Sequence, residues 1–232
     1  MSAALAPRLG VLCGLVAEAD ILRHAAPEDD QPLVAVTAAQ PERGRALAEQ
    51  LVARGATAIA SFGLAGGLDP ELSPGALLLP EHVMGPDGAV YGTDPAWRRR
   101  LEAMVGAEQG GMLLGNATIV SSPREKARLY RETGAVAVDM ESHLAGWAAA
   151  QAKLPFLVVR AVADPAGRAI PRAAMAGLDA EGRTLVLPVI RALTKRPGEL
   201  PGLLRLAADS RAGFAALRRV ALASLGGLAF RV

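Results

Sequence analysis

The sequence predicts a three-layer α/β/α fold built around a twisted, mixed central sheet. Three observations support this prediction. The chain is 232 residues long, 51% of its residues are hydrophobic, and short apolar runs alternate with helical patterns. A chain of this length can enclose one large core, and alternating strands and helices are typical of a sheet covered by helices on both faces. We expect this domain over residues 1–200 and a helical extension over residues 201–232.

Each predicted element follows from an apolar pattern and the residues that bound it. Strands are predicted at 8–16, 33–37, 57–62, 76–83, 112–120, 135–138 and 155–163. Helices are predicted at 41–54, 97–105, 123–132 and 140–152. The first of these helices starts with Pro41 and is followed by Gly55, the usual order of these residues at helix ends. A glycine-rich loop is predicted at 63–67, and residues 84–95 are rich in turn formers. Beyond residue 170 the pattern is helical, with predicted breaks at Pro188, Pro197 and Pro201.

The net charge and the spacing of the histidines argue against two kinds of partner, nucleic acids and metal ions. The formal net charge of +2 is too small an excess to indicate a nucleic-acid partner. His24, His82 and His143 lie far apart in the sequence, so no metal site is predicted. Cys13 has no second cysteine to pair with, which favours a reducing, cytoplasmic environment.

The chain lacks the apolar segments that target a protein to or across a membrane. The apolar start over 9–17 is interrupted by Glu18 and Asp20, so we predict no secretory signal. No charge-free apolar run reaches the roughly 18 residues that a membrane span requires. The expected location is therefore the cytoplasm, with contact to a membrane limited to its surface.

Two apolar runs lead into acidic residues, Glu141 and Asp164. Because ligands bind beyond the carboxyl ends of strands in parallel α/β sheets, we expect both residues at one crevice. Arg160 lies within the second run, and a buried guanidinium requires a carboxylate or ligand as partner. Two carboxylates with separate roles are what cleavage of a glycosidic bond needs. The alternatives are a first-turn helix acid for Glu141 and a turn initiator for Asp164.

Two further features follow predicted strands. Glu18 comes just after the first strand, where it is either an ordinary acid at a helix start or a general base beside the crevice. The glycine-rich segment 63–67 would let backbone N–H groups approach a ligand closely. It has neither the G-x-G-x-x-G spacing nor a P-loop lysine, so a tight turn remains the alternative.

Four segments in order, 10–18, 61–67, 138–142 and 160–164, resemble the nucleoside phosphorylase/nucleosidase superfamily. The resemblance extends over roughly residues 8–195 and implies a mixed-sheet fold and assembly into homodimers or larger oligomers. Its catalytic groups are most similar to those of the methylthioadenosine/S-adenosylhomocysteine nucleosidases. Its overall character is most similar to the hopanoid-associated phosphorylases, which are linked to removal of adenine from adenosylhopane.

The resemblance implies a role for each acidic or basic residue singled out above. Asp164 matches the aspartate that protonates purine N7, which makes adenine a better leaving group. Glu141 matches the carboxylate that binds the ribose hydroxyls, and Met140 matches the methionine that packs against the ribose. Arg160 matches an arginine near the nucleophile. Glu18 falls where the hydrolytic members keep the glutamate that activates water.

The resemblance also implies a substrate-binding set, together with three departures from the family pattern. The binding positions are Gly63, Leu64, Ala65 and Gly66 beside the nucleophile, and Thr118 and Ile119 beside adenine. The nucleosidases usually have serine where this chain has Leu64 and Ala163, and commonly an aromatic residue in place of Thr118. Because of these departures, we expect the substrate or the rate of this protein to differ from that of a standard methylthioadenosine nucleosidase.

The expected function is cleavage of the N-glycosidic bond of an adenine nucleoside with a bulky apolar 5′ substituent, with adenosylhopane as the substrate. No metal or organic cofactor is expected. Inorganic phosphate is the possible co-substrate, and its site would be built from Arg23 or Arg43. A methylthioadenosine/S-adenosylhomocysteine-type nucleosidase and a non-catalytic nucleoside-binding protein remain as alternatives.

The carboxy-terminal segment 203–232 combines leucines with arginines in a basic amphipathic pattern. One or two helices are predicted here, and they could simply pack on the domain. Alternatively, they form a lid or a membrane-facing element that receives a lipid-like 5′ substituent.

Overall fold

The computed structural model describes residues 7–38, 40–106, 110–177, 179 and 181–230. Residues 1–6 and 231–232, which fall within the predicted ranges 1–200 and 201–232, lie outside the described residues. The strands are β1 Leu9–Cys13, β2 Leu33–Val36, β3 Ala58–Gly67, β4 Leu77–Leu78, β5 His82–Met84, β6 Val90–Gly92, β7 Met112–Gly115, β8 Ala137–Asp139 and β9 Phe156–Asp164. The helices are α1 Val16–Ala25, α2 Pro41–Ala53, α3 Pro95–Val105, α4 Pro123–Thr133, α5 Ser142–Ala152, α6 Arg172–Met175, α7 Val186–Lys195 and α8 Leu200–Ala223.

The strands of the described residues form one mixed, nine-stranded sheet in which β3 changes partners along its length. The first part of β3 lies between β1 and β9 and is parallel to both. After an irregularity at Ala65 and Gly66, the end of β3 pairs antiparallel with β8. Strands β8, β7 and β5 continue the sheet in parallel, and β6 closes that edge antiparallel to β5. Strand β3 therefore belongs to both halves of the sheet.

Side chains that alternate along the central strands bury both faces of the sheet. In β1, Leu9, Val11 and Cys13 pack with α1, α3 and α8, whereas Leu12 packs with α2 and α5 on the opposite face. This period of two is what strands buried on both faces require. The helices on the two faces confirm the predicted three-layer α/β/α fold with a mixed sheet.

The predicted loop at 63–67 is wrong, because these residues continue β3 to Gly67. Glycine disfavours strands in isolation, but tertiary pairing with β9 and β8 overrides this local preference. Close packing around Gly63 leaves no room for a side chain. A Cβ atom there would overlap Nη1 of Arg160 and would lie 2.6 Å from Oε1 of Glu18.

Other boundaries also differ from the predictions. The strand predicted at 8–16 ends at Cys13, and α1 follows from Val16. The strand predicted at 112–120 ends at Gly115 and continues as a loop. Pro188 and Pro201 do not break helices but lie in the first turns of α7 and α8, where a missing backbone N–H costs no helical hydrogen bond.

The carboxy-terminal segment forms one long helix, α8, that packs against the sheet. Leu217 and Val220 of α8 are buried in the same core as β1, and the indole N–H of Trp97 donates to the carbonyl of Leu228 (2.6 Å). Within the described ranges, no helix is both long and apolar enough to cross a membrane.

Candidate active site

A cleft of about 240 Å³ lies where β1, β3, β8 and β9 end, and α8 covers one side of it. The lining residues are Gly14, Leu15, Glu18, Leu64, Ala65, Gly66, Thr118, Ile119, Val120, Val138, Asp139, Met140, Glu141, Ala163, Asp164, Ile170, Leu206 and Ser210. The polar groups are mainly carboxylates, and this lining contains neither lysine nor arginine. Strand β8 runs antiparallel to the end of β3, so the residues after Val138 return toward Leu64 and complete the cleft.

Glu18 is held by backbone N–H groups from two elements. Its Oε2 accepts from the N–H groups of Gly14 and Leu15 (both 2.9 Å), and its Oε1 accepts from the N–H of Leu64 (2.8 Å). The glutamate therefore caps α1 and ties it to β3. Burial raises the pKa of Glu18, although the nearby Arg160 guanidinium and the three N–H donors oppose this rise.

Glu141 occupies the adjacent position, at the start of α5. The Thr37 hydroxyl donates to its Oε1 (3.2 Å), and Nη2 of Arg160 lies 3.6 Å from its Oε2. A Cβ atom at Gly14 would lie 3.0 Å from Oε1 of Glu141, so glycine leaves room for this carboxylate. Burial raises the pKa of Glu141 to about 7, and the Arg160 charge opposes the rise only in part.

Arg160 is fully buried behind Glu18 and Glu141. Its Nη2 lies 2.5 Å from Oδ2 of Asp139 and donates to Oγ of Ser61 (2.5 Å). Its Nε donates to Oγ of Ser142 (3.3 Å). Burial alone would lower the pKa of Arg160, but the carboxylates of Asp139, Glu141 and Glu18 outweigh burial and raise it. The guanidinium therefore remains charged and neutralises part of an acidic cluster.

Asp164 ends β9 on the far side of the cleft and forms a buried ion pair with Lys126 of α4. The Lys126 ammonium lies 2.5 Å from Oδ2 of Asp164 and also donates to the backbone carbonyls of Asp164 (2.8 Å), Pro165 (3.0 Å) and Arg168 (3.2 Å). Burial raises the pKa of Asp164, while Lys126 opposes the rise. Burial therefore makes Asp164 harder to ionise, and Lys126 stabilises its anionic form.

Most of the predicted site residues meet in this cleft. Those that line it are Glu18, Leu64, Ala65, Gly66, Thr118, Ile119, Met140, Glu141 and Asp164. Gly63 and Arg160 lie behind the lining and contact its carboxylates. Arg23 and Arg43 are outside the lining, and Arg23 pairs with Asp20 at the surface (3.0 Å). The Cys13 thiol is buried, and burial and the Glu18 charge raise its pKa, so it stays protonated.

The sequence patterns did not identify five residues that support the site. These are Thr37, Ser61, Lys126, Asp139 and Ser142. Asp139 and Ser142 flank Glu141 within the segment 138–142, and this proximity was a usable signal. Lys126 lies on a helix rich in charged residues, and nothing in the local sequence separates it from its exposed neighbours.

The raised pKa of Glu141 predicts a pH-dependent contribution to stability. Folding raises this pKa from 4.5 to about 7, so the folded protein binds more protons than the unfolded chain between these values. The free energy of unfolding should therefore fall as the pH rises through this window and level off above it. The Glu141→Gln variant lacks this titration. In urea unfolding at a series of pH values, the stability of the wild type relative to E141Q should decline from about pH 4.5 to about pH 7. A difference that stays constant over this range would contradict the prediction.

The mixed sheet and its two helical layers define a three-layer α/β protein, and the acidic cleft at the strand ends is its candidate small-molecule site. Residues 29–186 match the family model described as the phosphorylase superfamily. This match covers more than half of the chain, so the protein belongs to the phosphorylase superfamily. The predicted superfamily is thereby confirmed. No curated protein sequence matches the chain.

Solved structures of the same fold include two kinds of protein. A methylthioadenosine/S-adenosylhomocysteine nucleosidase from Colwellia psychrerythraea 34H, in complex with adenine, gives a TM-score of 0.71 at 14% identity and covers 96% of each chain. The corresponding Helicobacter pylori nucleosidase, with butyl-thio-DADMe-Immucillin-A, gives 0.67 at 16% identity and covers 94% of this chain and 98% of that chain. Futalosine hydrolase of Helicobacter pylori strain 26695 gives 0.67 at 14% identity, over 93% and 97%. At these identities the likeness shows the fold.

Proposed function

We propose that this protein is an enzyme that cleaves the N-glycosidic bond of an adenine nucleoside. The observation that carries the proposal is the meeting of Asp164, Glu141 and Glu18 in one cleft. The solved structures of similar fold include nucleosidases bound to adenine or to adenosine-like inhibitors, which supports an adenine nucleoside as the substrate class. Protonation and positioning by side chains are sufficient for this chemistry, so the proposal includes no metal or organic cofactor.

In the proposed mechanism, each carboxylate has a separate task. Asp164 gives its proton to N7 of adenine, and the electron pair of the C1′–N9 bond passes to the purine as the bond breaks. Lys126 stabilises the aspartate anion that remains. Glu141 accepts hydrogen bonds from the ribose hydroxyls and stabilises the positive charge that develops on the sugar.

Water is the proposed nucleophile rather than phosphate. The cleft is lined by Glu18, Asp139, Glu141 and Asp164 and by no cationic side chain, so a phosphate dianion would be repelled. Oε1 of Glu18 accepts one hydrogen bond, from Leu64, and a carboxylate oxygen has a further lone pair with which to accept one from water. Glu18 can therefore orient the water and take its proton as the oxygen attacks C1′.

The proposed substrate carries a bulky apolar group at the 5′ position, and adenosylhopane is the candidate. Leu64 replaces a hydroxyl-bearing residue of the nucleosidases, and Ile119, Ile170 and Leu206 add further apolar surface to the cleft. Leu206 belongs to α8, so this helix forms part of the substrate-binding wall. An apolar wall favours a hydrocarbon substituent over a polar one.

The test is adenine release from adenosylhopane and from methylthioadenosine, each with and without phosphate. We expect release from adenosylhopane with a kcat/KM at least about tenfold higher than for methylthioadenosine, because apolar contacts discriminate by roughly this factor, and no dependence on phosphate. A preference for methylthioadenosine would identify a nucleosidase for small nucleosides, and phosphate dependence would identify a phosphorylase. No release from either substrate would overturn the enzymatic proposal and leave a nucleoside-binding protein.

A further inference from the structure

A second cavity, of about 310 Å³, lies between α6 and α7, outside the active-site cleft. Its lining residues are Arg172, Ala173, Pro188, Arg191, Ala192, Lys195 and Arg196. Four of these seven residues are cationic. Glu199 lies at the edge of the cavity, where its Oε2 accepts from the N–H of Ala173 (2.8 Å) and its Oε1 lies 3.7 Å from Arg196. Such a concentration of positive charge in a concave surface attracts an anion.

The helix that forms one wall of this cavity exposes an apolar face to solvent. On α7, Val186 is 66% exposed, Leu187 79% and Ile190 51%. At 100° per residue, these three side chains share one side of the helix. Arg191 and Lys195, which line the cavity, lie next to this apolar side of the helix. Helix α7 therefore presents an apolar strip bordered by cations, the pattern of helices that lie in a membrane interface.

Helix α7 lies between two segments that reach the active site. Before it, the carbonyl of Gly182 accepts a hydrogen bond from the N–H of Val16 (3.0 Å), next to the cleft residue Leu15. After it, α8 carries Leu206 and Ser210 into the lining of the cleft. The segments on both sides of α7 therefore contact the cleft or residues next to it.

We propose that α7 docks the protein onto an anionic phospholipid bilayer. Val186, Leu187 and Ile190 enter the boundary between headgroups and acyl chains, and the cavity between α6 and α7 holds a lipid phosphate. Charge complementarity supports this occupant, since residues 183–205 contain five cationic residues and one acidic residue, Glu199. A second copy of the chain is a poorer partner, because a two-fold interface would bring the same cations together.

This surface differs from the one expected from the sequence, which placed a membrane contact within residues 203–232. The exposed residues near the end of α8, Arg218, Arg219 and Leu222, therefore provide matched controls. The proposal is independent of the substrate proposed above, because binding is measured on the full chain without substrate. Failure of either proposal leaves the other standing.

The experiment is co-sedimentation with vesicles of phosphatidylcholine, either alone or mixed with about one third phosphatidylglycerol. The wild type should bind the mixed vesicles, bind less at high salt, and bind phosphatidylcholine vesicles only weakly. L187E/I190E and R191E/K195E should each weaken partitioning by about tenfold or more. The matched variants L222E and R218E/R219E should bind like the wild type.

Three results would overturn the proposal. The first is failure of the wild type to bind the mixed vesicles. This result overturns the proposal even if inorganic phosphate binds in titration calorimetry, because the cavity would then hold a free anion and not a lipid phosphate. The second is equal loss of binding in the α8 variants. The third is a smaller oligomer for L187E/I190E by light scattering, which would show that a second copy covers this face. Circular dichroism and thermal unfolding establish that the variants remain folded, as expected for substitutions at exposed positions.

Discussion

Replacement of Asp164 with asparagine should lower the rate of adenine release by about 10²- to 10⁴-fold, the usual contribution of a general acid. Asparagine keeps an oxygen that can accept a hydrogen bond from Lys126, so the buried ammonium retains a partner. It has no carboxyl proton to give to the departing purine. The loss should appear in kcat, because the proposed proton transfer from Asp164 occurs as the bond breaks rather than when the ribose binds. The measurement is steady-state adenine release from the preferred substrate.

A matched control comes from Asp209, a second buried carboxylate, which pairs with Arg168 (3.1 Å) and does not line the cleft. D209N should keep most of the activity and lose some stability. Because the Asp209 charge raises the pKa of Asp164, the alkaline limb of the D209N kcat profile should move to lower pH. D164A should lose activity at least as completely as D164N, and its thermal unfolding tests whether the fold survives the lost ion pair. Near-normal turnover by D164N would overturn the assignment of Asp164 as the acid.

The acidic half of this site could be predicted from the sequence because strand ends and carboxylates are local signals. Asp164 directly follows a run of apolar residues and ends β9, and Glu141 follows the short run that becomes β8. Because a buried arginine needs a partner, the sequence predicted a carboxylate or a ligand beside Arg160, and Asp139 and Glu141 lie there. One physical requirement, that buried charges be compensated, thus predicted part of the site.

The geometry of β3 could not be predicted in this way. The segment from Gly63 to Gly67 has the composition of a loop, yet β9 and β8 pair with it. Its conformation depends on strands that lie about 70 to 100 residues further along the chain, and no local pattern reports such partners. The same applies to the direction of β8, which is antiparallel to β3 and brings Glu141 back beside Glu18.

The proposed membrane surface shows a different limit of the sequence. The sequence predicted a basic amphipathic surface only at residues 203–232 and did not single out residues 186–195. The structure distinguishes them, because α8 buries Leu217 and Val220, whereas the apolar side chains Val186, Leu187 and Ile190 of α7 are exposed. An amphipathic pattern predicts that one face of a helix is buried against a partner. Only the tertiary structure shows whether that partner is the rest of the same chain.

Replacement of Lys126 should change both the stability of the protein and the pH dependence of catalysis. In Lys126→Met, the carbonyls of Asp164, Pro165 and Arg168 lose their donor, and Asp164 loses its cation. Removal of one partner from a buried ion pair typically costs about 3–5 kcal/mol. In Lys126→Gln, an amide can still donate to these carbonyls, so this variant should lose less stability while still lacking the charge.

The catalytic consequence follows from the sign of the interaction between the two residues. Lys126 lowers the pKa of Asp164 against the effect of burial, so removal of its charge should raise this pKa further. An acid must be protonated to act, and activity falls as the pH rises through its pKa. The alkaline limb of the kcat profile should therefore move to higher pH in K126Q and K126M. The maximal rate should fall, because a weaker acid donates its proton less readily.

The pH profile separates this positioning role from a purely structural one. Lys126 does not line the cleft, so a residue needed only for folding would lower the amount of active enzyme without moving the profile. Arg128→Met is the matched control, since Arg128 lies on the same helix but is exposed and pairs with Glu132. R128M should change stability by no more than about 0.5 kcal/mol and leave the profile in place. An unshifted alkaline limb in folded K126Q would show that the Lys126 charge does not control the acid, and the low dielectric of the cleft alone would then have to account for the proton on Asp164.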